Sequence, residues 1–325
     1  MRALSAANPV NGLRAVAVED THVCGRGDLH VAVSGCEGRR RVGVLPSRVN
    51  RERSSSAPTD IVSAGSRLRR VPDPAPDAYA AAFDARCAAA EGPGTRRVDG
   101  LGIHGLVPVD GESPTQLLVL DDRAFDVLSA VLPLASAGTV RVHDAAGRCA
   151  ELIRRDRTWT QKAVTAMVCR DLRTVPEPPL PTGLTLRPVC RVAEDPPDGV
   201  PLTDAVAAVG RATPAGEVST AALVTYLRSL PGGPRLFAAV DDDGMVRGTS
   251  GSRTYFSDAY VFFVNTDPGW RRRGLGLSMT AAALRSAVES GATRASLDAS
   301  GPGIPLYRRL GFTGVAQMTQ FSRSS

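Results

Sequence analysis

The chain has 325 residues, 43% of them hydrophobic, which is enough for one large domain or two smaller ones with apolar cores. It contains no run of the ~18 apolar residues that a membrane-spanning helix needs, and its start lacks the pattern of a secretory signal. The six cysteines are scattered without paired spacing, which favours a reduced, cytoplasmic setting.

The net charge of +6 lies entirely in residues 1–70, which hold 12 arginines against 6 acidic residues. Residues 71–325 hold 27 basic and 27 acidic residues and are therefore neutral. A nucleic-acid groove would need basic residues clustered on a folded domain. The neutral body shows no such cluster, so nucleic acid is not expected as a partner.

Residues 1–70 are predicted to be a basic, disordered head, because their apolar content is low and poorly patterned. This head contains four candidate metal ligands, His22, Cys24, His30 and Cys36. Their spacing does not match a zinc knuckle, so no metal is expected. An alternative is that the natural start lies further downstream and that the head is not functional protein.

Residues 71–175 are predicted to form a small α/β subdomain, because helices and strands alternate along them. The predicted helices are Ala78–Glu91, Phe125–Leu132 and Arg148–Arg154, and the predicted strands are Leu101–Val109, Leu117–Leu120 and Thr139–His143. The subdomain has no phosphate loop. We interpret His104 and His143 as structural residues rather than ligands.

A proline-rich joint, Val175–Pro181, predicts a domain boundary, because proline stiffens the chain and forbids helix. The second domain is predicted at residues 181–325. Its expected strands are Leu184–Pro188, Arg235–Val240, Val246–Tyr255 and Ala259–Thr266, with two helical stretches within Leu202–Leu230.

The segment Val264–Gly276 carries the strongest chemical signal. A strand ends, a turn follows, and glycines at 274 and 276 leave backbone N–H groups uncovered where a helix begins. Such a helix N-terminus binds a pyrophosphate. Met279 stands where a Rossmann fingerprint needs its third glycine, and the Gly-Lys-Ser/Thr of a Walker loop is absent. The alternative is that these glycines serve only a turn.

A second motif follows the predicted strand Ala295–Ala299, and the two motifs together resemble the GNAT superfamily of N-acetyltransferases. The family pattern Arg/Gln-x-x-Gly-x-Gly/Ala matches Arg271, Gly274 and Gly276, and its Leu-Tyr-x-x-Leu-Gly-Phe matches Leu306, Tyr307, Leu310, Gly311 and Phe312. The resemblance covers about residues 181–325.

The resemblance implies an α/β (α+β) fold: a GNAT fold with a central mixed, mostly antiparallel sheet flanked by helices. It also implies transfer of an acetyl group from acetyl-CoA to a primary amine, without a metal. Residues 71–175 are then a candidate degenerate copy of the same fold. The residues that it assigns to acetyl-CoA are Val264, Asn265, Thr266, Arg271, Arg272, Arg273, Gly274, Leu275, Gly276, Leu277 and Ser300.

Tyr307 matches the family's usual general acid. A phenol with a pKa of ~10 can protonate a departing thiolate, whose thiol has a pKa of ~8.5. A backbone N–H near Val264 is the expected oxyanion donor. The alternative for Tyr307 is a packing role beside Leu306 and Phe312. The general base stays open, with Asp258, Asp267 and Glu217 as candidates by location only.

The acceptor is expected to be a small-molecule amine, because the predicted helices at about 203–230 carry little charge. Two alternatives stay open: an acyl-CoA sensor without turnover, and an acetyltransferase acting on protein N-termini or side chains. The expected oligomeric state is a monomer or a homodimer, and the expected location is the cytoplasm.

Overall fold

The computed structural model describes residues 75–109, 114–135, 137–191, 198–213, 219–230 and 233–323. The predictions for the basic head and for its four candidate metal ligands lie outside the described residues. Among the residues that are described, no helix has the length and apolarity that a membrane span requires.

The described residues contain twelve strands, which form one mixed sheet in the order β1-β2-β3-β4-β12-β5-β11-β10-β9-β8-β6-β7. The strands are β1 Thr95–Gly100, β2 Ile103–Pro108, β3 Thr115–Val119, β4 Gly138–His143, β5 Thr160–Cys169, β6 Leu184–Cys190, β7 Val200–Pro201, β8 Arg235–Asp241, β9 Val246–Tyr255, β10 Asp258–Thr266, β11 Arg294–Ala299 and β12 Thr313–Arg323.

Seven α-helices accompany these strands in the described ranges. They are α1 Ala75–Ala90, α2 Phe125–Val131, α3 Gly147–Arg154, α4 Leu202–Ala212, α5 Thr220–Ser229, α6 Leu275–Glu289 and α7 Ile304–Arg309. We call residues 1–175 the first half of the chain and residues 176–325 the second half. Helix α6 is the longest helix of the second half, and all but a few of its side chains are buried. It ends before Gly291, whose φ of 90° is a left-handed conformation that favours glycine.

The two halves of the chain repeat one strand order. In the first half β1, β2 and β3 form an antiparallel meander, and β3 then pairs in parallel with β4. In the second half β8, β9 and β10 form the meander, and β10 pairs in parallel with β11. A helix connects the parallel strands in each case, α2 and α6. This shared topology supports the degenerate-copy hypothesis, which stays a prediction.

The last strand of each half pairs with the other half. Strand β5 of the first half lies between β11 and β12, and β12 of the second half lies between β5 and β4. The predicted subdomain and the predicted acetyltransferase domain therefore share one continuous sheet. The proline-rich joint lies against α6, because the Ser278 hydroxyl donates to the Pro179 carbonyl at 2.6 Å.

The sheet separates two layers of helices. Helix α1 packs on strand side chains such as Leu118 and Val164, and α4 and α5 pack on those of β6, β8 and β9. On the opposite face α2 and α3 cover Val140 and Val142, and α6 and α7 cover Leu297. The predicted fold class, a mixed α/β structure with a central mixed sheet flanked by helices, is confirmed.

Strands β1, β5, β7 and β12 were not predicted from the sequence. Strand β5 has exposed residues over its first four positions and buried residues over the last six, so it shows no regular alternation. It is buried at that end because helices cover both faces of the sheet there, with α1 on Val164 and Val168 and α6 on the side of Met167. The strands that flank it are distant in sequence. Its partners cannot be read from local pattern.

The shared sheet makes a first prediction about stability. A fragment of residues 176–325 lacks β5, so β11 and β12 lose the partner between them and Met167 and Cys169 leave the core. We expect this fragment to lose cooperative thermal unfolding, as followed by circular dichroism. A fragment of residues 71–325 retains every described strand and should melt at the temperature of the full chain.

A cooperative, native-like melt of the 176–325 fragment would contradict this prediction. It would show that the second half folds without its borrowed strand.

Candidate functional site

A cleft opens in the sheet where β10 and β11 diverge. The two parallel strands are paired only at Asp258–Arg294, Ala259–Ala295 and Tyr260–Ser296, at their beginnings. Beyond Tyr260, β10 continues for six residues to Thr266 without pairing with β11. The edge of β10 that faces β11 is therefore open to an added strand-like ligand.

The backbone of β10 is irregular inside this cleft. The pairing with β9 shifts between Phe262 and Asn265, and Phe263 has a φ of 59°. This left-handed conformation is strained for a non-glycine residue and needs support from its surroundings. The Thr249 hydroxyl gives that support, because it donates to the Phe263 carbonyl at 2.7 Å.

The same hydrogen bond orients the next backbone N–H. The Phe263 carbonyl points toward Thr249 of β9, and in a trans peptide the N–H points the opposite way. The N–H of Val264 is therefore directed away from β9, toward the cleft. This is the place where the sequence predicted an oxyanion donor.

The N-terminus of α6 borders the cleft with uncapped amides. Gly274 has a φ of 87°, and no side chain caps the helix. The amide of Leu277 donates to the Gly274 carbonyl at 3.0 Å, whereas no backbone carbonyl of the described residues accepts from the amides of Gly274, Leu275 or Gly276. The Leu275 and Leu277 side chains are buried. The amides of Gly274, Leu275 and Gly276 are therefore free to bind a ligand.

Gly276 brings three segments together. A Cβ at this position would lie 2.8 Å from Leu306 Cδ1 of α7 and 3.3 Å from Thr266 Oγ1 of β10. A Cβ at Gly274 would meet nothing within 4 Å, so the space above that residue is open. The first glycine is required by its backbone conformation and the second by close packing.

The three arginines of the loop have different roles. Arg271 donates to the Ala212 carbonyl at 2.9 Å and to the Thr266 carbonyl at 3.4 Å, so it ties the loop to α4 and β10. The Arg273 guanidinium lies over the Trp270 ring, 5.0 Å from its centre. Arg272 is exposed, with a φ of 64°. The exposed Arg272 and Arg273 are the better placed to meet a phosphate.

Two further residues assigned to the cofactor lie at the ends of the diverging strands. The Asn265 amide donates to the Ala208 carbonyl of α4 at 3.4 Å, which holds the end of β10 against that helix. Ser300 is exposed and directly follows β11. Both therefore flank the open part of the cleft.

Tyr307 lies on α7 and packs, with Ile304 and Leu306, against the same apolar cluster that Val264 contacts. Its ring meets Phe312 edge-on, with 6.1 Å between centres, as the packing interpretation expects. Burial raises the pKa of Tyr307 to about 12. No described residue hydrogen-bonds its hydroxyl. The phenol is therefore protonated at neutral pH and free to donate.

The general-base candidates are held in other contacts. Asp258 forms an ion pair with Arg294 at 2.7 Å and lies at the opposite end of β10 from Val264, about 20 Å away along the strand. Asp267 accepts from the Gly269 amide at 2.9 Å. Glu217 lies outside the described residues. No general base can be assigned from these contacts.

A groove of about 510 Å³ lies beside α7, at the junction of the two halves. His143 and Asp144 from the first half and Arg308 and Gln317 from the second half line it. Ile304, one turn before Tyr307, lines it as well. The His143 ring accepts from the Ala145 amide at 3.0 Å, which agrees with its structural interpretation.

A buried polar cluster at the base of the cleft was missed by the sequence analysis. Asp298 of β11 accepts from Arg141 of β4 at 2.6 Å and from the Tyr260 hydroxyl at 2.9 Å. The available signals were single charged residues within apolar strands, Arg141 between two valines and Asp298 between Leu297 and Ala299. The alternation of a strand would place such residues in solvent, so the sequence pattern does not distinguish a buried charge from an exposed one.

Comparisons with known proteins identify the second half. Residues 211–312 match the model of the acetyltransferase (GNAT) family. The resemblance predicted from the two motifs is therefore confirmed for this stretch, which matches the family model of GNAT acetyltransferases. No curated protein matches the chain at a significant level.

Solved structures share the fold over both halves. A GCN5-related N-acetyltransferase from Kribbella flavida is 21% identical over 75% of this chain and 96% of its own, with a TM-score of 0.50. A Drosophila protein is 15% identical over 76% of this chain and 88% of its own, also with a TM-score of 0.50. Residues 181–325 make up less than half of the chain, so both likenesses extend into its first half.

Gly274 allows a matched test of the helix N-terminus. Gly274→Ala and Gly291→Ala place a Cβ at left-handed positions on either side of α6, and neither Cβ meets an atom within 4 Å. The strain should be similar, about 1–2 kcal/mol each. We expect only Gly274→Ala to weaken binding of acetyl-CoA in calorimetry, because only its Cβ enters the space before the free amides.

The assignment of a ligand to these amides is wrong if both folded variants bind acetyl-CoA as the wild type does.

Proposed function

We propose that the protein is an N-acetyltransferase that transfers the acetyl group of acetyl-CoA to a primary amine of a small molecule. The observation that supports this most directly is the divergence of β10 and β11 beside the uncapped N-terminus of α6. An open strand edge and a phosphate-binding helix end, side by side, suit a ligand with an amide-containing arm and a pyrophosphate.

The residues present fit acetyl-CoA. The free edge of β10 from Val261 to Thr266 offers main-chain hydrogen bonds to the pantetheine arm, as an added strand does. The amides of Gly274, Leu275 and Gly276 would hold the pyrophosphate, with Arg272 and Arg273 supplying positive charge. The close contact of Gly276 with Leu306 and Thr266 leaves no room for a side chain in this cradle.

The reaction needs a hydrogen-bond donor for the carbonyl oxygen and a proton donor for the departing sulfur. The cleft contains a candidate for each. The amine nitrogen attacks the thioester carbonyl carbon, a C–N bond forms and the C–S bond breaks. The N–H of Val264, directed into the cleft, would donate to the carbonyl oxygen as negative charge develops there. One such donor typically contributes about 3–4 kcal/mol to transition-state stabilisation.

Tyr307 would be the proton donor. Its hydroxyl gives the proton to the departing thiolate sulfur, and the phenolate regains a proton from solvent. The raised pKa of about 12 keeps the phenol protonated at neutral and moderately alkaline pH, so the donor form is the one present. The proton that the attacking amine loses passes to water in this scheme, since the described carboxylates Asp258 and Asp267 are engaged elsewhere.

The groove beside α7 is the acceptor site in this proposal. Its volume of about 510 Å³ falls within the usual range of small-molecule sites, about 300–1,000 Å³. Its lining includes Asp144 and Arg308, which form no ion pair with each other, so both charges are available to a polar ligand. A protein N-terminus as acceptor remains the alternative activity.

A panel of amines tests the proposal directly. Thiol release from acetyl-CoA is measured with small primary amines in one arm and with peptides bearing free N-termini in the other. Amine-dependent release with small molecules supports the proposal, and release only with peptides supports the alternative acceptor. Tight binding of acetyl-CoA with no release in either arm identifies a sensor without turnover.

The role of Tyr307 is tested by two substitutions. Tyr307→Phe retains the ring and its contact with Phe312 but removes the proton donor. With the best amine of the panel, we expect kcat to fall by about 10²–10⁴-fold while the Kd of acetyl-CoA stays the same. Single-turnover measurements show whether the chemical step is the one affected.

Tyr307→Ala serves as the comparison, since it removes the packing as well. A role in packing alone predicts a normal kcat for the Phe variant and a lower melting temperature for the Ala variant. That pattern would remove Tyr307 from the proposed mechanism and leave water as the proton source.

A further inference from the structure

The place where β10 and β11 separate is marked by a buried hydrogen-bonded cluster. Tyr260 and Ser296 are the last paired residues of the two strands. Asp298 lies two residues beyond Ser296 on the same face of β11. The Tyr260 hydroxyl donates to Asp298 Oδ2 at 2.9 Å, and so joins the strands just past their last paired position.

The first half of the chain contributes most of the remaining contacts. Arg141 of β4 donates to Asp298 Oδ2 at 2.6 Å and to the Tyr260 hydroxyl oxygen at 3.3 Å. The Tyr79 hydroxyl of α1 donates to the other carboxylate oxygen, Asp298 Oδ1, at 2.5 Å. The Arg86 guanidinium of α1 lies 4.0 Å from the centre of the Tyr260 ring and donates to the Ser296 hydroxyl at 3.3 Å.

This cluster is almost closed to solvent. The Asp298 side chain is 6% exposed and the Arg141 side chain 9%. Burial opposes the charge of Asp298, but Arg141 and Arg86 outweigh it and hold the pKa of Asp298 below its usual value. Burial raises the pKa of Tyr260, which keeps its hydroxyl a donor. An ion pair that is held this tightly fixes the geometry of the strands that carry it.

We propose that the Tyr260–Asp298 hydrogen bond, reinforced by Arg141 and Arg86 of the first half, fixes the divergence of β10 and β11. Tyr260 is thereby a positioning residue for the acetyl-CoA cleft. This inference rests on the proposed function, because it assumes that acetyl-CoA occupies the cleft. It gives the first half, which lacks a phosphate loop of its own, a defined part in the site of the second half.

The reason lies in the backbone that follows Tyr260. Three residues later Phe263 adopts its left-handed conformation, and the next N–H turns into the cleft. A small rotation of β10 at Tyr260 would displace both this N–H and the open edge. When fewer molecules have the competent geometry, the apparent Kd rises in proportion.

Two phenylalanine substitutions separate positioning from stability. Tyr260→Phe and Tyr79→Phe each remove one hydroxyl that donates to Asp298. Tyr79 lies on α1, outside both strands, so Tyr260 and Arg141 still join β10 to β11 in its variant. The full chain is used, with acetyl-CoA alone as the probe in calorimetry and with the melting temperature recorded for each variant.

We expect both variants to melt a few degrees lower than the wild type. We expect Tyr260→Phe to raise the Kd of acetyl-CoA roughly tenfold, and Tyr79→Phe to change it by less than about twofold. If Tyr260→Phe does not fold, Arg86→Lys replaces it, since lysine loses the planar contact over the Tyr260 ring. We then expect Arg86→Lys to raise the Kd of acetyl-CoA roughly tenfold and Tyr79→Phe to change it by less than about twofold.

The outcomes distinguish the two proposals. Wild-type protein that does not bind acetyl-CoA overturns the proposed function, and this inference with it. Wild-type affinity in a destabilised Tyr260→Phe variant, or in Arg86→Lys where that is used, overturns this inference alone and leaves the cluster a structural one. Equal weakening by Tyr260→Phe and Tyr79→Phe also overturns it, because the effect would then follow stability.

Discussion

The whole site depends on the fact that β10 loses its neighbour after three paired residues. Backbone N–H and C=O groups must find partners, and a strand edge inside a sheet normally has them. Here the pairing of β10 with β11 ends at Tyr260 and Ser296, and the edge of β10 beyond Tyr260 is left open. The open edge of β10 follows from this separation, and the Val264 N–H and the uncapped end of α6 lie beside it.

Such an opening is unstable without support from both of its sides. On one face α6 and α7 cover the diverging strands, and the contact between Gly276 and Leu306 draws the two helices together. On the other face α1 of the first half lies over β9 and β10, and the Asp298 cluster fills the base of the opening. A buried ion pair contributes little net stability. Its effect here is to hold β10 and β11 in a single geometry.

The parts of the molecule that local sequence could predict are those whose reasons are local. The glycines at 274 and 276 mark a helix start because their conformation and packing exclude side chains, and the motif around Tyr307 fits one short helix. The meander from β8 to β10 follows its turn residues and its alternation. The family and the helix start at Gly274 were therefore within reach of the sequence.

What the sequence could not predict is set by distant partners. Strand β5 became visible only once β11 and β12 were seen on either side of it, from more than a hundred residues away. The burial of Arg141 and of Asp298 depends on the ion pair that they form with each other, across 157 residues. Either residue alone in an apolar strand resembles an ordinary solvent-facing charge.

The exchange of last strands gives the first half a structural part in the cleft of the second half. Strand β5 is the neighbour of β11, the strand that forms one wall of the cleft, so the first half cannot be lost without exposing that wall.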